Sequence, residues 1–219
     1  MIRRDYFMRM VQELTQALAR VLFLKKTQDF PRALDEIENV LTRFWNLTPE
    51  QIRTFTLERW IEQCRREQGP MGEKLLALAD LFNEQEEMYG EEHNISESHR
   101  SGAISLGLYL EAVAQPDTVI SVDLLEKIEQ LLERCQGPPL PAEVSRRLLA
   151  YFETRGMLDK AENTLFEWLD SGDPDAATAG LAFYDRLMTR NNEELERCGL
   201  PREEVEQGRA EVLKRATKN

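Results

Sequence analysis

The sequence predicts an all-α protein, because its composition and its hydrophobic spacing both favour helices. The 219 residues include 30 Leu, 17 Ala and 29 Glu, whereas Val and Ile together number 17. Leu, Ala and Glu are good helix formers and β-branched residues favour strands, so the composition argues against an all-β fold. Apolar residues also recur at intervals of three and four along most of the chain, which is the period of an amphipathic helix.

The charge and the cysteines restrict the partners and the compartment. The formal net charge is −12, which disfavours a surface built to neutralise phosphates, so no nucleic-acid partner is expected. Three cysteines, at positions 64, 135 and 198, lie more than 60 residues apart, and their odd number leaves one unpaired in any disulfide scheme. Charged residues interrupt the N-terminal segment, and its longest apolar run, Val21–Leu24, is too short to cross a membrane. We therefore expect a soluble, cytoplasmic protein without membrane insertion.

Three helices are predicted in the first 70 residues. The first spans about residues 6–26 with Asp5 as its N-cap, and its apolar arc of about 200° predicts packing on two sides. The second follows Asp29-Phe30-Pro31, where the proline suits an early helical turn. The third opens with the capping-box pattern Thr48-Pro49-Glu50-Gln51 and continues to Cys64.

Three more helices are predicted before the strongest linker signal in the chain. The fourth starts at Gly72 and runs into the acidic stretch Glu84–Glu92. The fifth contains Ala103–Leu110, and the sixth contains Leu124–Leu132 and stops at Gly137-Pro138-Pro139. The acidic stretch is interpreted as a solvated helix end and loop, with a docking surface for a basic partner as the alternative.

Further helices are predicted at about residues 142–155, 158–170 and 174–190, with a last one near residues 201–216. The total is about nine or ten helices with short connections. We expect a single helical-repeat domain over residues 1–219, with a subdivision near residues 137–139 as the alternative.

The segment from residue 142 to residue 174 resembles the tetratricopeptide (TPR) repeat. Leu148, Phe152, Gly156, Ala161 and Leu165 match that pattern in order, with large residues on the first helix, a glycine at the turn and a small residue at the helix crossing. The resemblance implies a TPR-like α-α superhelix, in which helical hairpins stack with a right-handed twist. Leu149 and Trp168 depart from the pattern, because small residues are usual at both positions. A compact non-repeat bundle is the alternative fold.

Two further segments are similar to a family of bacterial proteins. These segments are the opening Asp5-Tyr6-Phe7-Met8-Arg9-Met10 and the later Leu75-Leu76-Ala77-Leu78-Ala79-Asp80-Leu81. The family is an uncharacterised one of all-helical, TPR-like proteins. The resemblance implies a helical fold and assigns no activity.

Few residues in the sequence suggest catalysis. His93 and His99 lie in a predicted polar loop with glutamates nearby, but their spacing matches no common metal-binding motif, and we interpret them as exposed. The cysteines fall in predicted helices or helix ends, where inert thiols are expected. No phosphate-binding loop or nucleophile elbow occurs. We therefore predict no catalytic residue, no cofactor and no metal site.

The leading hypothesis is a non-enzymatic helical-repeat protein that binds a protein or peptide. Helical repeats bind along a concave surface formed by the first helix of each pair, which predicts ligand contacts at Arg146, Ala150 and Glu153. The alternative is a small-ligand sensor or enzyme with a pocket between helices. A homodimer is a further candidate, with contacts formed by the large aromatic residues Phe44, Trp45, Trp60 and Trp168.

Overall fold

The computed structural model describes residues 2–67 and 69–217, and it describes side chains from residue 12 onward. This part of the chain is helical and contains no strand, which confirms the all-α prediction. The described residues form twelve helices: α1 (Ile2–Lys26), α2 (Phe30–Trp45), α3 (Pro49–Thr54), α4 (Leu57–Arg66), α5 (Met71–Glu91), α6 (Ile95–Val113), α7 (Val122–Arg134), α8 (Ala142–Thr154), α9 (Leu158–Asp170), α10 (Pro174–Met188), α11 (Asn192–Arg197) and α12 (Arg202–Ala216).

The predicted number of nine or ten helices is too low for two reasons. The predicted third helix is two helices, because the chain is extended at Phe55 and Thr56, and the Thr56 hydroxyl accepts from the Arg59 N–H to begin α4. The short α11 escaped prediction because its six residues contain little apolar periodicity. Its start is nevertheless an ordinary cap, in which Asn191 Oδ1 accepts from the Glu194 N–H at 2.8 Å.

The predicted capping box is present at the start of α3. Thr48 Oγ1 accepts from the Gln51 N–H at 3.2 Å, and Gln51 Oε1 accepts in turn from the Thr48 N–H at 2.8 Å. These two bonds satisfy two N–H groups that a helix start otherwise leaves unpaired.

Helix α1 begins at Ile2, so Asp5 lies inside the helix and the predicted N-cap is wrong. Leu14, Ala17 and Val21 are buried, and α1 contacts both α2 and α5. Phe23, which lies on the side of α1 opposite Leu14, is 67% exposed. The apolar side chains predicted to pack at Phe7 and Val11 lie outside the described side chains.

The chain divides into two compact units, Met1–Pro138 (unit 1) and Pro139–Asn219 (unit 2). The division falls at the Gly137-Pro138-Pro139 segment, where Gly137 adopts a φ of +124° that favours glycine. Each unit has its own set of buried apolar side chains.

In unit 1, α5 and α6 form the central hairpin, and α6 is buried on every side along Ser101–Leu110. An aromatic cluster lies beside this hairpin. Trp60 packs edge-to-face against Trp45, Phe55 and Phe82, with ring centroids 5.2 to 6.3 Å apart. The cluster joins α2, α4 and α5.

In unit 2, α8 and α9 form a hairpin whose turn is Gly156, with a φ of +70°. Helix α10 packs on both, and α12 packs on α10. Ala161 is fully buried, as the repeat pattern predicted. Gly180 of α10 lies against Leu165 and Val212, where an added Cβ would come within about 3.1 Å of either side chain. Small residues therefore allow these helices to approach closely.

Candidate functional site

The three predicted ligand contacts lie on one face of α8, at three successive turns of the helix. Arg146 and Ala150 are exposed, whereas only 12% of the Glu153 side chain is exposed. Arg186 of α10 covers Glu153 and donates from Nε to Oε1 at 2.9 Å and from Nη2 to Oε2 at 2.6 Å. The structure therefore adds Arg186 to the three predicted residues through its contact with Glu153, and we call Arg146, Ala150, Glu153 and Arg186 the α8/α10 face.

The α8/α10 face is mostly basic. Within the described residues Arg146 has no ion pair, and 54% of the Arg186 side chain is exposed although it binds Glu153. Hydrogen bonding to Glu153 raises the pKa of Arg186 further above its ordinary value, so this charge is permanent. Arg190 approaches Glu153 at 3.9 Å and adds a third guanidinium beside the face. A basic surface of this kind contrasts with the net charge of −12 on the whole chain.

The acidic stretch Glu84–Glu92 is not a solvated helix end over its first half. Glu84 accepts from Lys25 of α1 at 2.6 Å, and Glu87 accepts from the same ammonium group. Glu86 accepts from Arg134 of α7 at 2.7 Å. The earlier interpretation was wrong here because these bases lie about 60 and 48 residues away in the sequence. Glu91 and Glu92 are exposed.

Unit 1 contains a pocket of about 320 Å³ between α2, α3, α5 and α6. One wall is a face of α2 that presents Leu34, Asp35 and Glu38 at the spacing of a single helical turn. The end of α3 adds Ile52 and Arg53. Arg53 approaches Glu38 at 3.5 Å, and the Arg53 side chain is 73% exposed. Within the described residues no hydrogen bond or ion pair occupies the carboxylate of Asp35.

Helices α5 and α6 form the other wall of this pocket. Gln85 and Tyr89 come from α5, and Glu97 and Arg100 come from α6. Arg100 is fixed in place because its Nη2 donates to the carbonyl of Ile52 at 3.1 Å, near the end of α3. Burial, followed by the negative charge of Glu97, raises the pKa of Tyr89, so its hydroxyl keeps its proton at neutral pH. The wall therefore offers a fixed guanidinium and neutral donors.

A second, more open groove of about 580 Å³ lies between α1 and α2 and passes the exposed Phe23. Its central charges are already tightly paired, because Arg20 donates from both Nε and Nη2 to Glu36 at 2.7 and 2.5 Å. The groove is also lined by Arg32, which pairs with Asp29 at 3.4 Å, and by Asp35, which lines the α2/α3/α5/α6 pocket as well.

The two histidines are not brought together with a set of ligands. His93 is exposed and has a left-handed φ of 57° at the end of α5. His99 lies on α6 rather than in a loop, since α6 begins at Ile95, and its Nε2 is 3.1 Å from the carbonyl oxygen of Pro138. Among the residues that the structure describes, no group of three histidine, cysteine, aspartate or glutamate side chains could hold a metal ion.

Two of the three thiols are buried. Burial raises the pKa of Cys64 to about 12 and that of Cys135 to about 11. A reactive cysteine needs the opposite shift, because the thiolate is the nucleophile. Cys198 is only partly buried and approaches the turn at Gly156.

The three tryptophans cannot form the predicted dimer contacts, because all of them are buried. Trp45, Trp60 and Trp168 are at most 3% exposed and pack inside their own units, so none can form a contact with a second chain. Phe44 is partly exposed. These large aromatic residues lie in the core because burying them removes a large apolar area from water.

The pocket of unit 1 was not predicted from the sequence. Its lining residues come from four helices and extend over about 70 positions, from Pro31 to Arg100, without any local motif. Its charged residues have the spacing of ordinary polar positions on amphipathic helices, and Leu34 and Ile52 have that of ordinary apolar positions. The α2 spacing of Leu34, Asp35 and Glu38 was the available signal, and it does not separate a pocket wall from a solvated face.

No helix in the described part of the chain combines the length and the apolar character needed to cross a membrane. Comparison with curated proteins finds no match, and comparison with solved structures finds none either. A family model described as a family of unknown function, DUF6483, matches residues 1–217, which confirms the expected relation to a family without assigned activity. The chain therefore belongs to this family of unknown function, DUF6483.

Proposed function

We propose that the protein is a non-enzymatic, helical-repeat binding protein, and that unit 2 recognises an acidic segment of a partner protein or peptide. The observation that carries the proposal is the α8/α10 face. Exposed Arg146 and half-exposed Arg186 lie at its two ends, and Ala150 between them leaves room for a bound chain. A basic surface favours negatively charged partners.

A TPR-like arrangement of unit 2 is part of this proposal. In such repeats the first helices of successive pairs line one concave surface. Helices α8 and α9 form one pair, α10 and α12 contact each other as a second pair, and the bond between Glu153 and Arg186 joins the two first helices. The buried Ala161 and the turn at Gly156 support the same arrangement. A right-handed superhelix, a bacterial origin, a cytoplasmic location and a homodimer remain predictions from the sequence and the resemblance.

The absence of catalysis is also proposed. It is supported by the buried thiols of Cys64 and Cys135, whose raised pKa values keep them protonated and unreactive at neutral pH. Glu86 and Glu153, whose side chains are only 6% and 12% exposed, form ion pairs with arginines that join helices.

Peptide display against the intact protein tests the binding proposal. We expect selected peptides to be rich in Asp and Glu. They should bind about tenfold more weakly to the Arg146→Glu variant, because an exposed charge is reversed there. Binding should weaken similarly in high salt, because salt screens the same charge contact. Arg197→Glu reverses another exposed arginine of unit 2 and serves as the matched control. Enriched peptides that bind both variants as tightly as the original protein would contradict the role of this face.

A second candidate function is small-ligand sensing in unit 1. The specific observation in its favour is the α2/α3/α5/α6 pocket, because ligand sites are usually concave and combine apolar walls with a few placed polar groups. A broad screen of small metabolites by thermal shift tests this role. No stabilising compound in such a screen would count against it.

A further inference from the structure

The pocket of unit 1 is lined by side chains of both signs of charge. Asp35 and Glu38 lie on the α2 wall, whereas Arg53 comes from α3 and Arg100 from α6. Glu97 adds a third carboxylate beside Arg100. A ligand with a single charge would also meet like charge from one of these two sets. The arrangement therefore suits a ligand that carries a positive and a negative group.

The charges in the pocket are available to a ligand. Arg53 and Glu38 are 3.5 Å apart, and Arg100 and Glu97 are 3.9 Å apart. Both separations exceed the 2.7–2.9 Å of a strong charged hydrogen bond, so these pairs hold each other weakly. The carboxylate of Asp35 has no partner within the described residues. A ligand can therefore replace these contacts at little cost.

Neutral donors complete the site on the α5 side. Gln85 uses its Oε1 to accept from Ser101 at 3.0 Å, which leaves the amide Nε2–H₂ as a donor. The hydroxyl of Tyr89 has no hydrogen-bond partner among the described residues and keeps its proton at neutral pH. Together with Arg100, these donors suit a carboxylate group.

The size and the apolar lining restrict the ligand further. A volume of about 320 Å³ is at the lower end of the range for small-molecule pockets, which favours a molecule of a few to a dozen or so heavy atoms. Leu34 and Ile52 offer apolar surface for an aliphatic group. Three carboxylates against two guanidiniums disfavour phosphate esters and other multiply charged anions.

We propose that this pocket binds a zwitterionic α-amino acid or dipeptide, with the ligand carboxylate at Arg53 and Arg100 and the ligand ammonium at Asp35 and Glu38. The inference rests on the second function proposed above and names its ligand class. Arg100 is the rigid anchor, because two carbonyls of the α3 end, Ile52 and Phe55, already hold its Nη2 at 3.1 and 3.4 Å.

Calorimetric and NMR titrations of the full-length protein test this inference. The probes are free L-amino acids and dipeptides, each beside its amide, which lacks the carboxylate, and its N-acetyl form, which lacks the ammonium. Acetate, inorganic phosphate and putrescine complete the panel. We expect at least one zwitterion to bind, with both blocked forms weaker by about tenfold or more, since each loses a charged contact.

Variants locate the binding. Arg53→Gln and Asp35→Asn change exposed side chains, and each is expected to weaken binding of the zwitterion about fivefold to tenfold. Arg59→Gln and Glu126→Gln change exposed residues of the same unit outside the pocket and should leave binding unchanged. A blocked form or simple ion that binds as tightly as the zwitterion would overturn the ligand class while leaving small-ligand sensing in place. Failure of every probe would overturn the zwitterionic ligand class, whereas small-ligand sensing would be overturned only if the broad metabolite screen also found no stabilising compound.

Discussion

Arg134 of α7 donates from Nε to Oε2 of the buried Glu86 of α5 across 2.7 Å. The same guanidinium donates from Nη2 to Asn83 Oδ1, also at 2.7 Å, so it holds two positions of α5 that lie one turn apart. Only 6% of the Glu86 side chain is exposed. A buried charge that is paired in this way joins α7 to the central hairpin of unit 1, and losing the partner is costly.

Replacing Arg134 with Met should lower the free energy of unfolding by about 2–3 kcal/mol, because Glu86 would stay buried without its partner. This is less than a fully buried pair costs, since 31% of the Arg134 side chain is exposed. Urea unfolding measures the change. Arg59→Met, at an exposed site, should stay within about 0.5 kcal/mol. Equal effects for the two variants would show that the Arg134 pair contributes little.

The stability of the protein should depend on the titration of Glu86. Burial raises the pKa of Glu86 above its ordinary 4.5, and it outweighs the opposing influence of Arg134; Glu87 on the same helix adds to the rise, and Ser98 of α6 opposes it. The folded state thus holds this proton more tightly than the unfolded state. The contribution of Glu86 to stability is therefore fully present below pH 4.5 and is lost as pH rises through the folded pKa.

Comparing the original protein with Glu86→Gln isolates this contribution, because glutamine does not titrate. The difference in unfolding free energy, original minus variant, should decrease as pH rises from 4.5 towards neutrality. Urea unfolding across this pH range gives the difference directly. A difference that increases with pH would mean that ion pairing, and not burial, dominates at Glu86.

Lys74 should be essential to the stability of unit 1. This residue is 3% exposed, and its Nζ donates to the carbonyls of Cys64 and Glu67 at the end of α4, each at 2.6 Å. Lys74→Met would leave both carbonyls without this donor and should cost about 2–4 kcal/mol in unfolding free energy. Lys26→Met, at an exposed position, is the control and should change stability by less than about 0.5 kcal/mol. A cost for Lys74→Met as small as that of the control would show that water replaces the lysine.

Replacing either of two helical glycines with alanine should change the stability of the protein, in opposite directions at the two positions. A Cβ at Gly107 of α6 would lie 2.2 Å from Cδ2 of the buried Leu57, so Gly107→Ala should destabilise by about 1–3 kcal/mol through overpacking. A Cβ at Gly90 of α5 would come no closer than 3.6 Å to Ser98 Oγ, so Gly90→Ala should stabilise by up to about 1 kcal/mol through helix propensity. Thermal unfolding of both variants measures this. Equal shifts would contradict the close approach of α4 and α6.

The tryptophans should fluoresce as buried residues. Trp45, Trp60 and Trp168 are at most 3% exposed, and their indole N–H groups have no hydrogen-bond partner among the described residues. We expect blue-shifted emission, weak quenching by iodide and a red shift on unfolding in urea. Phe23→Trp places a tryptophan at a site that is 67% exposed in the original protein and should add a strongly quenched component. Strong iodide quenching of the original protein would contradict the burial of all three.

Local sequence patterns determined most of the helices of this protein. The capping box at Thr48, the proline start at Pro174 and the spacing of three and four specify helix starts and apolar faces from residues within a few positions of each other. The same information placed Arg146, Ala150 and Glu153 on one face of α8, because helical geometry alone sets that relation. Even the missed α11 has a normal cap at Asn191.

Tertiary structure decided which polar residues are paired, buried or free. In the sequence Glu86 is part of an acidic run, but in the folded chain it pairs with Arg134, which is 48 residues away. Glu153 was predicted to be a surface contact, but in the folded chain Arg186 covers it. The pocket of unit 1 exists because four helices meet around side chains that share no local pattern. Helix formation depends on neighbours along the chain, whereas desolvation and charge pairing depend on neighbours in space, and only the folded chain brings those together.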